Sequence, residues 1–101
     1  MFTTIEQVSY EKSWVVQYIS SPDQAFMRDK LLISVNASLQ HRPTALPDAL
    51  ELTATIIGKL GSVTQHGELT STAIATMTFE TLQRFDKVAA TVYQAFHQDV
   101  L

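Results

Sequence analysis

The chain lacks cysteine, lacks long apolar runs and has few basic residues. Without cysteine it can form neither a disulfide framework nor a thiolate metal site. No apolar run approaches the roughly 20 residues that a membrane helix needs. Residues 1–5 show neither the basic start nor the apolar block of a signal peptide, so a cytoplasmic location is expected.

The net charge of −3 bears on nucleic-acid binding, because a dedicated nucleic-acid binder usually presents a basic patch. The seven basic residues are instead scattered along the chain, at Lys12, Arg28, Lys30, Arg42, Lys59, Arg84 and Lys87. From composition we therefore expect no direct binding of nucleic acid and no membrane association.

The length of 101 residues fits one domain, so residues 1–101 are expected to fold together. Two strands are predicted, over Phe2–Val8 and Lys12–Tyr18, because β-branched and aromatic residues are frequent in both. A turn is predicted over Ser20–Asp23, where Pro22 restricts φ and Asp23 can bond backbone amides.

Two helices are predicted after this turn, over Arg28–Gln40 and Pro47–Leu60. Gly61 would lie just past the end of the second helix, because glycine is favoured there. A loop is predicted over Gly61–Leu69. The residues of the second helix expected to face the core are Leu50, Ala54, Ile57 and Leu60.

A third helix is predicted to begin with Thr70 or Ser71 as its N-cap. Asp86 either caps a fourth helix or lies within a longer third helix. Apolar residues then follow helical spacing at Ala89, Val92, Tyr93 and Phe96. The predicted fold is an α-rich α+β domain, with a small N-terminal sheet of two or three strands covering a four-helix bundle.

Catalytic and metal-binding motifs are absent from the sequence. The three histidines are widely separated and show no His-x-x-x-His spacing. There is no Gly-x-Ser-x-Gly motif and no phosphate-cradling glycine loop of the usual kind. We therefore expect the protein to be neither an enzyme nor a metalloprotein.

Several short motifs follow one another in an order that resembles a known family. They are Phe2–Val8, Val15-Val16, Phe26-x-x-x-Lys30-Leu31, Leu69-Thr70-Ser71 with Ile74, Phe85-Asp86-x-Val88-Ala89 and Thr91-Val92-Tyr93-x-x-Phe96. Together they resemble the ATP-cone, a small regulatory module at the front of many ribonucleotide reductases. The match is closest to the version that forms the C-terminal part of the bacterial repressor of ribonucleotide reductase genes.

The resemblance implies a nucleotide site. The family binds ATP or dATP beneath a small sheet, and the nucleotide state changes how subunits assemble. Lys30 matches a lysine that points at the phosphates, and Ser71 or Thr70 matches a hydroxyl residue near the ligand. The full set of expected binding residues is Val15, Gln17, Tyr18, Phe26, Arg28, Lys30 and Ser71, with Mg²⁺ accompanying the nucleotide.

The chain departs from the family pattern at the phosphate end of this site. Gln17 and Tyr18 stand where the family places lysine or arginine, so charge-assisted hydrogen bonds to phosphate are lost. Roughly one turn of the last helix, with its basic residue, is also missing. Arg28 could substitute for a lost base. Lys30 could instead be a solvated residue paired with Asp23 or Asp29.

Two functional interpretations therefore stay open. The first is a nucleotide-responsive regulatory domain that controls assembly of itself or of a partner, related to ribonucleotide reductase regulation. The second is a degenerate ATP-cone that has lost nucleotide binding and serves as an oligomerisation or protein-interaction module. The repressor reads DNA with the help of a zinc ribbon, which this chain cannot build without cysteine.

Overall fold

The computed structural model of the chain describes residues 10–18, 22–64 and 67–97. These residues form a 3-10 helix at Tyr10–Ser13, three strands and four α-helices. The strands are β1 (Val15–Gln17), β2 (Gln24–Ala25) and β3 (Glu68–Thr70); the helices are α1 (Arg28–Ser38), α2 (Ala45–Val63), α3 (Ser71–Phe85) and α4 (Lys87–Phe96). The predicted α-rich α+β fold is confirmed.

Three predicted elements fall wholly or partly outside the described residues. They are the strand predicted over Phe2–Val8, the first half of the turn predicted over Ser20–Asp23, and residues 65 and 66 of the loop predicted over Gly61–Leu69. The strand predicted over Lys12–Tyr18 is shorter in the structure, because its first residues form the 3-10 helix. None of the described helices is both long enough and apolar enough to cross a bilayer.

The sheet has β1 at its centre, with β2 antiparallel on one side and β3 parallel on the other. Val16 pairs with Gln24 of β2 and with Leu69 of β3. Val16 and Leu69 are both buried, whereas Val15 is 38% exposed. Since successive side chains of a strand point to opposite faces, one face of the sheet covers the helices and the other faces solvent.

Strand β3 occupies part of the segment predicted as a loop, so that prediction is wrong there. Gly67 adopts a φ of 74°, which turns the chain into the strand. The Gly67 carbonyl accepts a hydrogen bond from the Val15 amide at 2.8 Å. The sheet is therefore not purely N-terminal, because its third strand comes from between α2 and α3.

The four helices pack as a closed ring, in which α1 and α3 each contact both α2 and α4. Side chains from all four helices meet in a core with the apolar face of the sheet above it. Its most deeply buried apolar members include Trp14, Val35, Leu39, Ile56, Leu60 and Leu82. The predicted arrangement of a sheet over a four-helix bundle is thus observed.

Helix α2 extends beyond both of its predicted ends. Gly61 lies inside the helix rather than after it, and a Cβ added there would lie 3.7 Å from Cζ2 of Trp14. The Trp14 ring packs beside this turn, so tertiary contact overrides the local tendency of glycine to end a helix. The helix then ends at Val63, and the amide of its C-cap residue, Thr64, donates to the Leu60 carbonyl at 2.9 Å.

The buried face of α2 is rotated from the predicted one. Leu50 and Ala54 were expected to face the core, but both are exposed. The helix carries apolar residues on more than one face, and packing against α1 and α3 selects which face is buried. The buried residues are Ala49, Leu52, Thr53, Ile56, Ile57 and Leu60.

Side-chain caps define the starts of α3 and α4. Thr70 Oγ1 accepts a hydrogen bond from the Ala73 amide at 3.0 Å, which confirms Thr70 as the N-cap. Asp86 Oδ1 accepts from the amides of Val88 and Ala89 at 2.9 and 3.1 Å. Asp86 therefore separates two helices, and the alternative of one continuous helix is excluded.

Candidate functional site

A cavity of about 220 Å³ lies between the sheet and helices α1, α3 and α4. Its wall is largely apolar, with polar groups from Lys30, Ser34, Ser71 and His97. A mostly apolar hollow with a few convergent polar groups is typical of a small-molecule site. The apolar or aromatic side chains that line it are Val16, Tyr18, Ala25, Phe26, Met27, Leu31, Ile74, Ala75 and Tyr93.

Four of the seven residues predicted to bind nucleotide line this cavity: Tyr18, Phe26, Lys30 and Ser71. They come from the end of β1, the β2–α1 connection, the first turn of α1 and the first residue of α3. Folding thus brings residues from distant parts of the sequence to one hollow beneath the sheet. Phe26 is also a core residue, because its ring lies 5.3 Å from that of Trp14.

Val15, Gln17 and Arg28, the other three predicted residues, do not line the cavity. Val15 projects from the solvent side of the sheet, and strand alternation places Gln17 on the same side. Arg28 instead forms an ion pair with Glu11, with Nη1 3.6 Å from Oε2. Because Glu11 is buried, this pairing attaches α1 to the 3-10 helix and leaves the cavity without a second basic residue from this turn.

Lys30 is exposed, and its Nζ donates a hydrogen bond to Gln24 Oε1 at 3.2 Å. Among the described residues it forms no ion pair with Asp23 or Asp29, the two partners considered from the sequence. An amide oxygen does not neutralise the ammonium charge. The positive charge of Lys30 therefore remains available to an anion at the cavity.

Two helices begin beside the cavity. Helix α1 has Met27 at its N-cap with no side-chain hydrogen bond to the first turn, and both Met27 and Lys30 line the cavity. Helix α3 begins at Ser71, which also lines it. The first turn of a helix presents backbone amides and the positive end of the helix dipole, which favour a negative charge.

Several lining residues were not predicted from the sequence. Val16 faces the cavity in place of Val15, and the burial of the folded strand, not its two consecutive valines, distinguishes them. Ser34 follows Lys30 by one helical turn on the same face of α1. Tyr93 and His97 have the same relationship on α4, and their rings stack with centroids 4.0 Å apart. Burial raises the pKa of Tyr93 above its usual value.

A second polar cluster lies at the opposite ends of α1 and α4 from the cavity. Arg42 donates to Asp48 Oδ2 and to Asp86 Oδ2, both at 2.9 Å, and His41 Nε2 lies 2.9 Å from Asp86 Oδ2. Hydrogen bonds from His41 and Arg42 hold the pKa of Asp86 well below its usual range. This cluster ties the α1–α2 connection to the α3–α4 junction and is structural.

The described residues contain no group of three or more His, Cys, Asp or Glu side chains placed to hold a metal ion.

Comparison with known proteins bears directly on this arrangement. No protein-family model matches the chain. The transcriptional repressor NrdR of Rhodopseudomonas palustris is 33% identical over 101 residues, which span 96% of this chain and 62% of that protein. The chain is a homologue of the NrdR repressors. The resemblance to their ATP-cone part is thereby confirmed.

Further NrdR proteins show the same relationship. NrdR of Streptococcus pyogenes is 32% identical over 99 residues, covering 94% of this chain and 59% of the relative. NrdR of Pelagibacter ubique is 32% identical over 105 residues, covering 97% and 66%. The chain spans about three fifths of the length of the NrdR proteins from R. palustris and S. pyogenes.

These relatives correct one expectation from composition. The prediction of no direct nucleic-acid binding is wrong, because the relatives are named transcriptional repressors and such proteins bind DNA. The physical reason is that net charge sums over a whole surface. A value of −3 does not exclude a local contact between a few cations and phosphates. The relatives' names also describe repressors rather than enzymes.

Proposed function

We propose that the chain is an adenine-nucleotide-responsive regulatory domain that binds ATP or dATP in the cavity beneath the sheet. The observation that carries this proposal is the meeting of Tyr18, Phe26, Lys30 and Ser71 around one hollow. These residues were singled out by the family resemblance, and they come from four separate segments of the chain. Residues 1–101 would act together as one ATP-cone-like domain.

The size and lining of the cavity support partial enclosure of a nucleotide. Its volume of about 220 Å³ is below the roughly 300–1,000 Å³ of sites that enclose a drug-sized ligand. An apolar hollow of this size suits the base and sugar, with Phe26 as an aromatic neighbour. The phosphates would lie on the exposed side, beside Lys30, Ser71 and the first turns of α1 and α3.

Regulation requires that the nucleotide prefer one state of the protein over another, since equal affinity for two states shifts no equilibrium. The cavity is suited to this role because its wall combines the sheet with three helices. A nucleotide bound there would contact both the sheet and the helices. It would therefore favour one position of the sheet relative to the helical bundle. The output would be assembly of the chain with itself or with a partner.

The names of the relatives indicate where this output is used. We propose that the chain takes part in transcriptional control of ribonucleotide reductase genes, and that nucleotide-dependent assembly alters contact with DNA. This role would place the protein in the cytoplasm. Binding of DNA should then respond to the nucleotide, which a filter or gel-shift assay with and without ATP or dATP would show.

Isothermal titration calorimetry with ATP and dATP in the presence of Mg²⁺ tests nucleotide binding. The Lys30→Ala variant should bind at least tenfold more weakly, because a charge-assisted contact to phosphate is removed. Lys87→Ala is the matched control, since Lys87 is an exposed lysine of α4 that does not line the cavity. Absence of any binding heat in the parent protein would overturn the proposal.

A second candidate is an interaction module that no longer binds nucleotide. It is favoured by one observation: Lys30 is the only lysine or arginine among the described residues that line the cavity. Exposed apolar side chains on α1, α2 and α4, including Ile33, Leu46 and Phe96, would then serve protein contacts. This alternative predicts an oligomer whose mass by light scattering does not respond to ATP or dATP.

A further inference from the structure

His97 lies at the same end of the bundle as Lys30. Helices α1 and α4 run antiparallel, since Arg42 just after α1 bonds Asp86 just before α4. The first turn of α1 therefore lies beside the last turn of α4. Lys30 and His97 both line the cavity, as does Ser34 one turn further along α1.

The hydrogen bonding of His97 fixes the role of each ring nitrogen. Nδ1 lies 2.9 Å from the backbone oxygen of Tyr93. A carbonyl oxygen can only accept, so Nδ1 carries the hydrogen and donates it. In the neutral ring Nε2 then presents a lone pair, which a phosphate oxygen would repel. In the protonated ring Nε2 presents an N–H, which phosphate can accept.

The Tyr93 side chain holds the imidazole in place. The two rings stack at an interplanar angle of 19°, and Tyr93 is buried against the core. His97 follows the last residue of α4, where the negative end of the helix dipole favours a positive charge. The end of α4 is therefore a favourable place for a positive charge on the His97 ring.

Among the described residues that line the cavity, the titratable groups besides His97 are Lys30, Tyr18 and Tyr93. Helix α1 contributes Lys30, the residue after β1 contributes Tyr18, and α4 contributes Tyr93. Lysine and tyrosine side chains ordinarily titrate near pH 10. Helix α3 contributes only Ser71, Ile74 and Ala75, and none of the described lining residues is a carboxylate.

We propose that protonated His97 is a second cationic contact for the phosphates of the nucleotide, so that binding tightens as pH falls from 8 to 6. Histidine is the side chain whose ordinary titration falls in this interval. The inference rests on the proposed nucleotide binding and adds a pH-dependent regulation to the same site. It supplies a positive charge to a cavity in which Lys30 is the only lysine or arginine among the described lining residues.

The test compares the affinity for ATP with Mg²⁺ at pH 6 and pH 8 in the parent, in His97→Gln and in His41→Gln. Because the phosphates and their metal also titrate, the measured quantity is the ratio of the two affinities. The affinity at pH 6 divided by the affinity at pH 8 should be about tenfold larger in the parent than in His97→Gln, as expected for one charge-assisted hydrogen bond. His41→Gln removes a histidine outside the cavity and should show the parent ratio.

A second measurement does not depend on the folding of any variant. Calorimetry of the parent at pH 7 in two buffers of different ionisation enthalpy gives the number of protons taken up with ATP. Proton uptake beyond that of the nucleotide alone supports the inference. Equal pH ratios in parent and His97→Gln, or no excess uptake, would overturn the role of His97 while leaving nucleotide binding intact. No binding at either pH would instead overturn the proposed function.

Discussion

Arg42 and Asp86 are joined by a hydrogen-bonded ion pair of 2.9 Å between Nη1 and Oδ2, although 44 positions separate them in the chain. Asp86 uses its other oxygen to cap α4. Arg42 also bonds Asp48, and its guanidinium carbon lies 4.5 Å from the centre of the Phe85 ring. The Asp86 carboxylate thus caps the start of α4 and links the α1–α2 connection to the α3–α4 junction.

Replacing Asp86 should separate these two contributions. Asp86→Ala removes both the cap and the ion pair and should cost about 2 kcal/mol of unfolding free energy. Asp86→Asn keeps an equally good cap and should cost about half as much. Urea denaturation followed by circular dichroism measures both. Asp29→Ala, an exposed acidic residue in the first turn of α1, is the control and should cost much less.

The same cluster predicts an acid sensitivity of the fold. Hydrogen bonds from His41 and Arg42 lower the pKa of Asp86, and hydrogen bonds from Thr44 and Arg42 lower that of Asp48. A carboxyl whose pKa is lower in the folded protein than in the unfolded chain stabilises the fold at pH values above its unfolded pKa of about 4. That stability is lost as pH falls from about 4 toward the folded pKa.

Urea midpoints recorded between pH 6 and pH 2.5 would show this loss. A variant carrying both Asp48→Asn and Asp86→Asn should be less stable at pH 6 but should lose less on acidification than the parent does. If the two proteins lose stability in parallel, the cluster is not the source of the acid sensitivity.

Two glycines should respond to alanine in opposite directions. Gly58 lies in the middle of α2, and a Cβ added there would meet no neighbouring atom within 4 Å, so Gly58→Ala should stabilise by about 0.5–1 kcal/mol. Gly67 has a φ of 74°, so Gly67→Ala should destabilise by about 1 kcal/mol. Thermal melts of the two variants beside the parent give the signs. Stabilisation by Gly67→Ala would contradict the turn described before β3.

Restoring a basic residue at the end of β1 should strengthen nucleotide binding if the phosphates lie on that side. Tyr18 lines the cavity and Gln17 does not, so Tyr18→Lys should tighten ATP binding several-fold and Gln17→Lys should tighten it less. Calorimetry at low salt measures both, and circular dichroism checks that Tyr18→Lys keeps the fold. A larger gain at Gln17 would place the phosphates on the other face of the strand.

Local signals in the sequence predicted those parts of the fold that depend on neighbouring residues. Thr70 or Ser71 was predicted as one helix cap, and a cap was one of the two alternatives for Asp86, because short polar side chains can bond the amides two or three residues later. Thr70 and Asp86 both do so. The four helices followed from apolar periodicity. The family motifs identified Phe26, Lys30 and Ser71, which the fold brings to one cavity.

Features that depend on distant contacts could not be predicted in the same way. Strand β3 has three residues, which is too short a segment for its alternation of polar and apolar residues to identify a strand, and it pairs with β1 across two intervening helices. The consecutive valines of β1 do not reveal which one faces inward; only the placement of the sheet over the helices buries Val16. Likewise, the contact of Trp14 with Gly61 extends α2 past the glycine.

The parallel pairing of β1 with β3 also has a consequence for synthesis of the protein. Strands that lie far apart in the sequence pair slowly, because the chain between them must first be ordered at an entropic cost. A chain still emerging from the ribosome would carry β1 and α1 long before α3 and α4 are available to close the pocket. The cavity beneath the sheet should therefore stay incomplete until translation of this region has finished.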